Sequence, residues 1–185
     1  MRIIAGTHRG TRLKEPAQAT RPTSDRVREA IFNVLFHVVP NAQVLDLFAG
    51  TGALGLEALS RGASQCTFIE NDTQALRCLR DNLTHTKFPN TKVIEKNALH
   101  FLTNTQNLPS YNLIFADPPY FRNGNLDLAG QLLSSKLPLV SGGILVLEVE
   151  SERKTPADTP TLKVIKRKDY GKTAILYFEQ SSSLS

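Results

Sequence analysis

No apolar run in this chain approaches the ~20 residues that a membrane-crossing helix requires, so an integral helical membrane protein is not expected. The segment Met1–Gly10 has basic residues but no apolar stretch behind them, which argues against a secretory leader. Cysteine is scarce. Cys66 and Cys78 stand alone, a usage that suits a reducing compartment, and a cytoplasmic location is expected. The four histidines (His8, His37, His85, His100) are scattered, with no carboxylate or cysteine at metal-ligand spacing, so no metal is expected. Acidic residues are few near the start: Glu15 and Asp25 are the only two before Glu29.

What fills that first segment is positive charge: Arg2, His8, Arg9, Arg12, Lys14, Arg21, Arg26 and Arg28. A second basic cluster, Lys163, Lys166, Arg167, Lys168 and Lys172, lies near the other end, and the net charge is +5. A basic excess is compatible with nucleic-acid binding without establishing it. At 185 residues the chain suits one compact domain with a sizeable core.

Arg2–Ala5 and Thr11–Leu13 flank Gly6 and Gly10 and read as a short β-hairpin arm over residues 1–22. Val27, Ala30, Ile31, Val34, Leu35 and Val38 then recur at helical spacing, capped by Thr23 or Ser24 and stopped by Pro40. Phe32 and Phe36 on that helix are expected to pack, and His37 to end it. From Gln43 onward, strands and helices alternate. Strands are expected at 44–49, 65–70, 92–95, 111–117 and 143–149, with a closing hairpin of 163–168 and 173–178. Helices are expected at 53–61, 72–83, 98–103 and 126–136. Such alternation predicts an α/β domain over 23–180, a mostly parallel seven-stranded sheet covered on both faces with an antiparallel C-terminal hairpin. Residues 181–185 read as a disordered tail.

Val44–Gly55 is a buried strand running into a glycine turn and a helix. Gly50 and Gly52 lack side chains, so backbone amides can pack against a ligand at the helix start. Glu70 ends the next strand, where a carboxylate can accept hydrogen bonds from both hydroxyls of a ribose. The spacing Gly50-x-Gly52-x-x-Gly55 also fits a dinucleotide site, so a nicotinamide-dependent oxidoreductase remains open at this point. Asp46 weighs against it. A buried carboxylate is awkward beside a pyrophosphate but useful beside the cationic methionine end of S-adenosylmethionine.

Asp117-Pro118-Pro119-Tyr120 follows directly on the aliphatic strand. Two prolines fix the backbone there and leave a rigid corner with a carboxylate, a carbonyl and an aromatic ring. A base amine is a poor nucleophile until it is oriented. The Asp117 carboxylate and the Pro118 carbonyl can accept its hydrogens and stabilise charge growing on nitrogen. Tyr120 can stack on the base, worth ~1–3 kcal/mol, and a stacked target would have to be turned out first.

At these residues the chain resembles the bacterial family that methylates the guanine N2 amine of small-subunit (16S) ribosomal RNA at the nucleotide numbered 966. The resemblance runs through Arg2–Gly6, Arg9-Gly10, Arg21–Glu29, Asp46–Ala58 and Asp117–Tyr120. It implies a Rossmann-like class I methyltransferase fold and S-adenosylmethionine as co-substrate. Asp46, Ala49, Gly50 and Gly52 would line the methionine end, Glu70 the ribose, and Asn97 and Ala98 the adenine. Many relatives in the wider class carry Asp where Asn97 stands. The resemblance implies an assembled or partly assembled small subunit as partner, and a monomer is expected. Arg2, Arg9, Arg12, Arg21, Arg26 and Arg28 are the expected RNA contacts. Rival readings are amine methylation of an adenine, a cytosine or a protein amide, the oxidoreductase, and a ribosome-assembly factor without turnover.

Overall fold

The computed structural model describes residues 1–16, 24–105, 108–119 and 127–182. Five strands lie parallel: β1 (Gln43–Leu47), β2 (Gln65–Glu70), β3 (Thr91–Glu95), β4 (Tyr111–Ala116) and β5 (Leu139–Glu150). The closing hairpin of β6 (Leu162–Tyr170) and β7 (Thr173–Gln180) adds β7 antiparallel to β5, with β6 outermost. The order is β3-β2-β1-β4-β5-β7-β6. The chain reverses direction across the sheet between β1 and β4, where an open α/β sheet leaves a crevice at the carboxyl ends of its strands.

The sheet divides two cores. On one face pack α1 (Asp25–Val34), α2 (Ala53–Ser60) and α3 (Thr73–Thr86), with Phe32, Leu56, Leu79 and Phe115 among the buried residues. On the other pack α4 (Ala98–Leu102) and α5 (Leu128–Ser134), with Phe101, Leu132, Ile114 and Phe178. Caps fix the starts: Ser24 accepts from the Val27 amide, Asp72 from that of Ala75 and Asp127 from that of Gly130. No helix of the described residues is long and apolar enough to cross a membrane.

The basic arm is a hairpin joined by an Arg2–Arg12 bridge, and it lies against the α1-side core through Ile3 and Leu13. Glu57, fully buried on α2, accepts from the amides of Ile4 and Ala5 and pairs with Arg61. Asn82 of α3 accepts from the Lys14 amide and donates to the Lys14 and Thr51 carbonyls. Gly6 passes the end of α2 so closely that a Cβ there would meet the Ser60 carbonyl oxygen at 1.8 Å.

The first helix packs through its expected face, with Ile31 and Leu35 in the core and Val27, Val34 and Val38 against it, but buries Arg28 as well. Arg28, Ile31, Phe32 and Leu35 form its buried face, and regular helix ends at Val34. Phe36, expected to pack, is 69% exposed, and among the described residues its one ring contact is with His37. The final turn is Gly171-Lys172, two residues where the expected strands left four, with Gly171 at φ +64°. Of the expected tail, Ser181 still donates to the Thr161 carbonyl, and residues 183–185 lie outside the described ones.

Candidate active site

The glycine loop and the proline corner leave the same edge of the sheet from adjacent strands. Leu47, the last residue of β1, is paired with Ala116, the last of β4. Ile69 of β2 pairs with Leu47 on the other side, so Glu70 stands at the same rim. Sequence reasoning assigned Asp46, Glu70 and Asp117 to one site, and Asp117 and Glu70 each lie close enough to Asp46 to repel its charge.

The loop is an unusual piece of backbone. Phe48, Gly50 and Gly52 all take positive φ, at +58°, +56° and +80°. Only glycine adopts such angles freely, and Phe48 is held there at a cost of order 1–3 kcal/mol. The three glycines serve different ends. A Cβ on Gly55 would meet Phe68 at 2.3 Å and Cys66 at 2.6 Å, so this glycine lets α2 settle on β2. A Cβ on Gly52 would meet Leu79 at 2.5 Å. A Cβ on Gly50 would meet nothing within 4 Å, so only there does the loop face open space.

Asp46 is buried and accepts from the Gly55 amide at 2.9 Å. Burial pushes its carboxyl well above the ordinary carboxylate range; the Gly55 hydrogen bond opposes this, and Asp117 and Glu70 add to it. The crowd of carboxylates is poised for a cation. Glu70 holds the loop, one oxygen accepting from Gly50 at 2.7 Å and the other from Asn71 and Asp72 at 2.7 and 2.8 Å. A carboxylate has about four lone-pair positions, so three are occupied by backbone amides. Asn97 caps α4, its amide oxygen accepting from the His100 amide at 3.1 Å. Ala98 follows, buried at the helix start, and Ala49 is anchored by donating to the Ile69 carbonyl. Pro118 is buried and Pro119 exposed. Tyr120 and Arg21 lie outside the described residues.

The expected RNA contacts separate. Arg2, Arg9 and Arg26 line one surface cleft of about 340 Å³ together with Asp25 and Glu29, and Arg12 is exposed beside Arg2. Arg28 departs from expectation. It is fully buried and donates to the Arg2 carbonyl at 2.6 Å and to Asp25 at 2.7 Å, so it fastens the arm to α1 instead of facing solvent. Its place on the Arg28–Ile31–Leu35 stripe was the signal for burial. Glu57 was missed altogether, although a single carboxylate in a helix otherwise apolar on every side needs buried partners.

The family described as "Conserved hypothetical protein 95" matches residues 1–179. The ribosomal RNA small subunit methyltransferase D of Escherichia coli is 39% identical over 98% of this chain and 91% of its own length. Its counterpart in Haemophilus influenzae is 38% identical over 86% and 83%. The solved structure of the Escherichia coli protein yhhF superposes with a TM-score of 0.86 at 38% identity, covering 99% of both chains. Identity and coverage of this order, on a fold whose glycine loop and proline corner meet at one rim, establish that the chain belongs to the ribosomal RNA small subunit methyltransferase D family.

Proposed function

We propose that the protein transfers a methyl group from S-adenosylmethionine to the N2 amine of a guanine in small-subunit (16S) ribosomal RNA, within an assembled or partly assembled subunit. The observation that carries this reading is the shared rim, with Leu47 beside Ala116. Neighbouring strands lie ~4.8 Å apart, so groups held at the loop and at the corner are within one methyl transfer of each other. The choice of guanine N2 among base amines rests on the family.

The residues fit the cofactor. Gly50 leaves room at the loop, and the carboxyl groups of Asp46 and Glu70 favour a cationic ligand over a pyrophosphate, which weighs against the nicotinamide reading. Glu70 has one lone-pair position left for a ribose hydroxyl while its amide contacts persist. Asn97 and the Ala98 amide would meet the adenine edge. The bound cofactor supplies an electrophilic methyl group. Asp117 and the Pro118 carbonyl would take the amine hydrogens and withdraw the nitrogen lone pair from conjugation with the base, so that it points at the methyl carbon. When the nitrogen–carbon bond forms and the sulfonium carbon–sulfur bond breaks, releasing the neutral thioether S-adenosylhomocysteine, Asp117 would offset the positive charge growing on nitrogen and receive its departing proton. Tyr120 would stack on the base.

The test is incubation with labelled S-adenosylmethionine and small subunits lacking the modification, followed by mass spectrometry of the nucleosides. N2-methylguanosine is the expected product; label on another base or on protein overturns the reading. Asp117→Ala should lower transfer by roughly 10²-fold while cofactor affinity stays near that of the unsubstituted protein. Equal loss of both would contradict the division of roles.

A further inference from the structure

Resting on that reading, we propose that the outer strand β6 is a second RNA-binding element, its Lys163, Lys166 and Lys168 holding the phosphate backbone of the RNA whose target base enters at Asp117. Register puts the three on one face. Lys163 is paired with Glu179, Lys166 with Tyr177 and Lys168 with Ile175. Opposed residues of an antiparallel pair share a face, and Tyr177 and Ile175 belong to the α1-side core. A bulge between Val164 and Lys166 keeps the lysines in phase, since without the extra residue Lys163 and Lys166 would point to opposite sides.

Charge on β6 is sorted by face. Arg167 and Asp169 pair with each other at 2.8 Å and lie opposite Leu176 and Ala174 of the other core. The lysines are all exposed, and none has an ion-pair partner among the described residues; Glu179 is the one acid set across from them. Charged side chains also guard edge strands against stray pairing. That task is served by either sign on either face and does not call for three lysines in a row. Four register steps along β7 separate the first from the last, about 14 Å at ~3.4 Å per residue, which is a track for several phosphates.

The track leads to the reaction. β6 runs parallel to β5, so it ends at Tyr170 and the turn bearing Lys172 on the rim where Asp117 stands. Its face is the one against which the arm is docked, with Arg26 of α1 exposed on the same side. The two basic clusters of the sequence, some 140 positions apart, therefore flank α1 on one side of the sheet.

The test compares the binding of small subunits lacking the modification across a salt series. Each phosphate neutralised on a single strand adds about 0.7 to the slope of log affinity against log salt. The triple variant Lys163→Ala, Lys166→Ala, Lys168→Ala should lose about 2 from that slope, with cofactor affinity and thermal midpoint unchanged. Lysine-to-arginine changes at the three positions should preserve it, and so should Lys136→Ala with Lys154→Ala. An unaltered slope in the triple alanine variant, or an equal loss in the Lys136 and Lys154 control, overturns the proposal. Failure of the unsubstituted protein to methylate small subunits would overturn the reading of function instead, and the two results are read in separate assays.

Discussion

Asp46 is a strained choice of residue until a cation arrives. Its carboxyl is raised on folding by burial, against the pull of the Gly55 amide and with the help of Asp117 and Glu70. A carboxyl raised on folding keeps its proton to higher pH in the folded chain than in the unfolded one. Stability from this residue therefore falls as pH climbs from 3.8 toward the raised value. A cation seated beside it favours the ionised form and reverses the effect. Asp46→Asn retains an acceptor for Gly55 and removes the charge. Its thermal midpoint should gain on the unsubstituted protein as pH rises, and the advantage should vanish when S-adenosylmethionine is saturating. Cofactor affinity should drop about tenfold or more, equivalent to ~1.4 kcal/mol. A difference in midpoint that is flat with pH would show that Asp46 is not the group being titrated. The sequence revealed where this carboxylate sits, because it lies inside an apolar strand. It could not reveal that Glu70 has spent three of its lone pairs on backbone amides, since that follows from the turn after β2.

Between α2 and the strands it joins, glycine identity in sequence conceals two physical roles. Gly55→Ala places a methyl 2.3 Å from Phe68, with β2 behind it, so helix and sheet must part. Overpacking of this kind costs ~1–3 kcal/mol, and urea unfolding should register it. Gly50→Ala meets no protein atom and costs only the left-handed backbone angle, ~1–2 kcal/mol. Its larger effect should be on S-adenosylmethionine affinity, measured by calorimetry, because its methyl occupies the space kept open by the loop. If both variants lost stability and affinity in the same proportion, the distinction between packing and ligand glycines would fail. The spacing of the three glycines announced a nucleotide-binding turn, and the order of strands and helices was legible from alternation alone. The docking of the arm was not. Ile3 and Leu13 pattern as a minimal hairpin, and the arm is tied down by Glu57 and Asn82, which accept from the neighbouring Ile4, Ala5 and Lys14 amides from more than fifty positions away. Glu57→Ala strips the Ile4 and Ala5 amides of their acceptor, an expected loss of ~1–3 kcal/mol per orphaned group. Limited proteolysis should then cut within residues 1–16 faster than elsewhere, and an unchanged digestion pattern would mean that Asn82, Arg28 and the apolar contacts hold the arm without Glu57.

For the molecule as a whole, both edges of the sheet are guarded. β3 is five residues long and exposes Lys92 and Glu95, the latter paired with Arg80 of α3. On the far edge, β6 has a bulge and three lysines, and the Val164 amide is taken by the Asp158 side chain. Short length, charge and irregularity are the ordinary means of preventing strands from pairing between copies. The glycine loop, the proline corner and both basic clusters belong to one chain, from which we propose that the site is complete in a monomer. Activity per chain should consequently be constant as the protein is diluted across the micromolar and nanomolar range. Sedimentation should give the mass of a single 20.4 kDa chain. A specific activity that collapsed on dilution, together with a heavier species at high concentration, would mean that a copy completes the site. The edge strands would then be the first surfaces to examine, because lysine charge that repels another sheet can still accept the acidic face of one. Adding salt separates the two cases: pairing through opposite charge weakens as ionic strength rises, whereas an apolar interface does not.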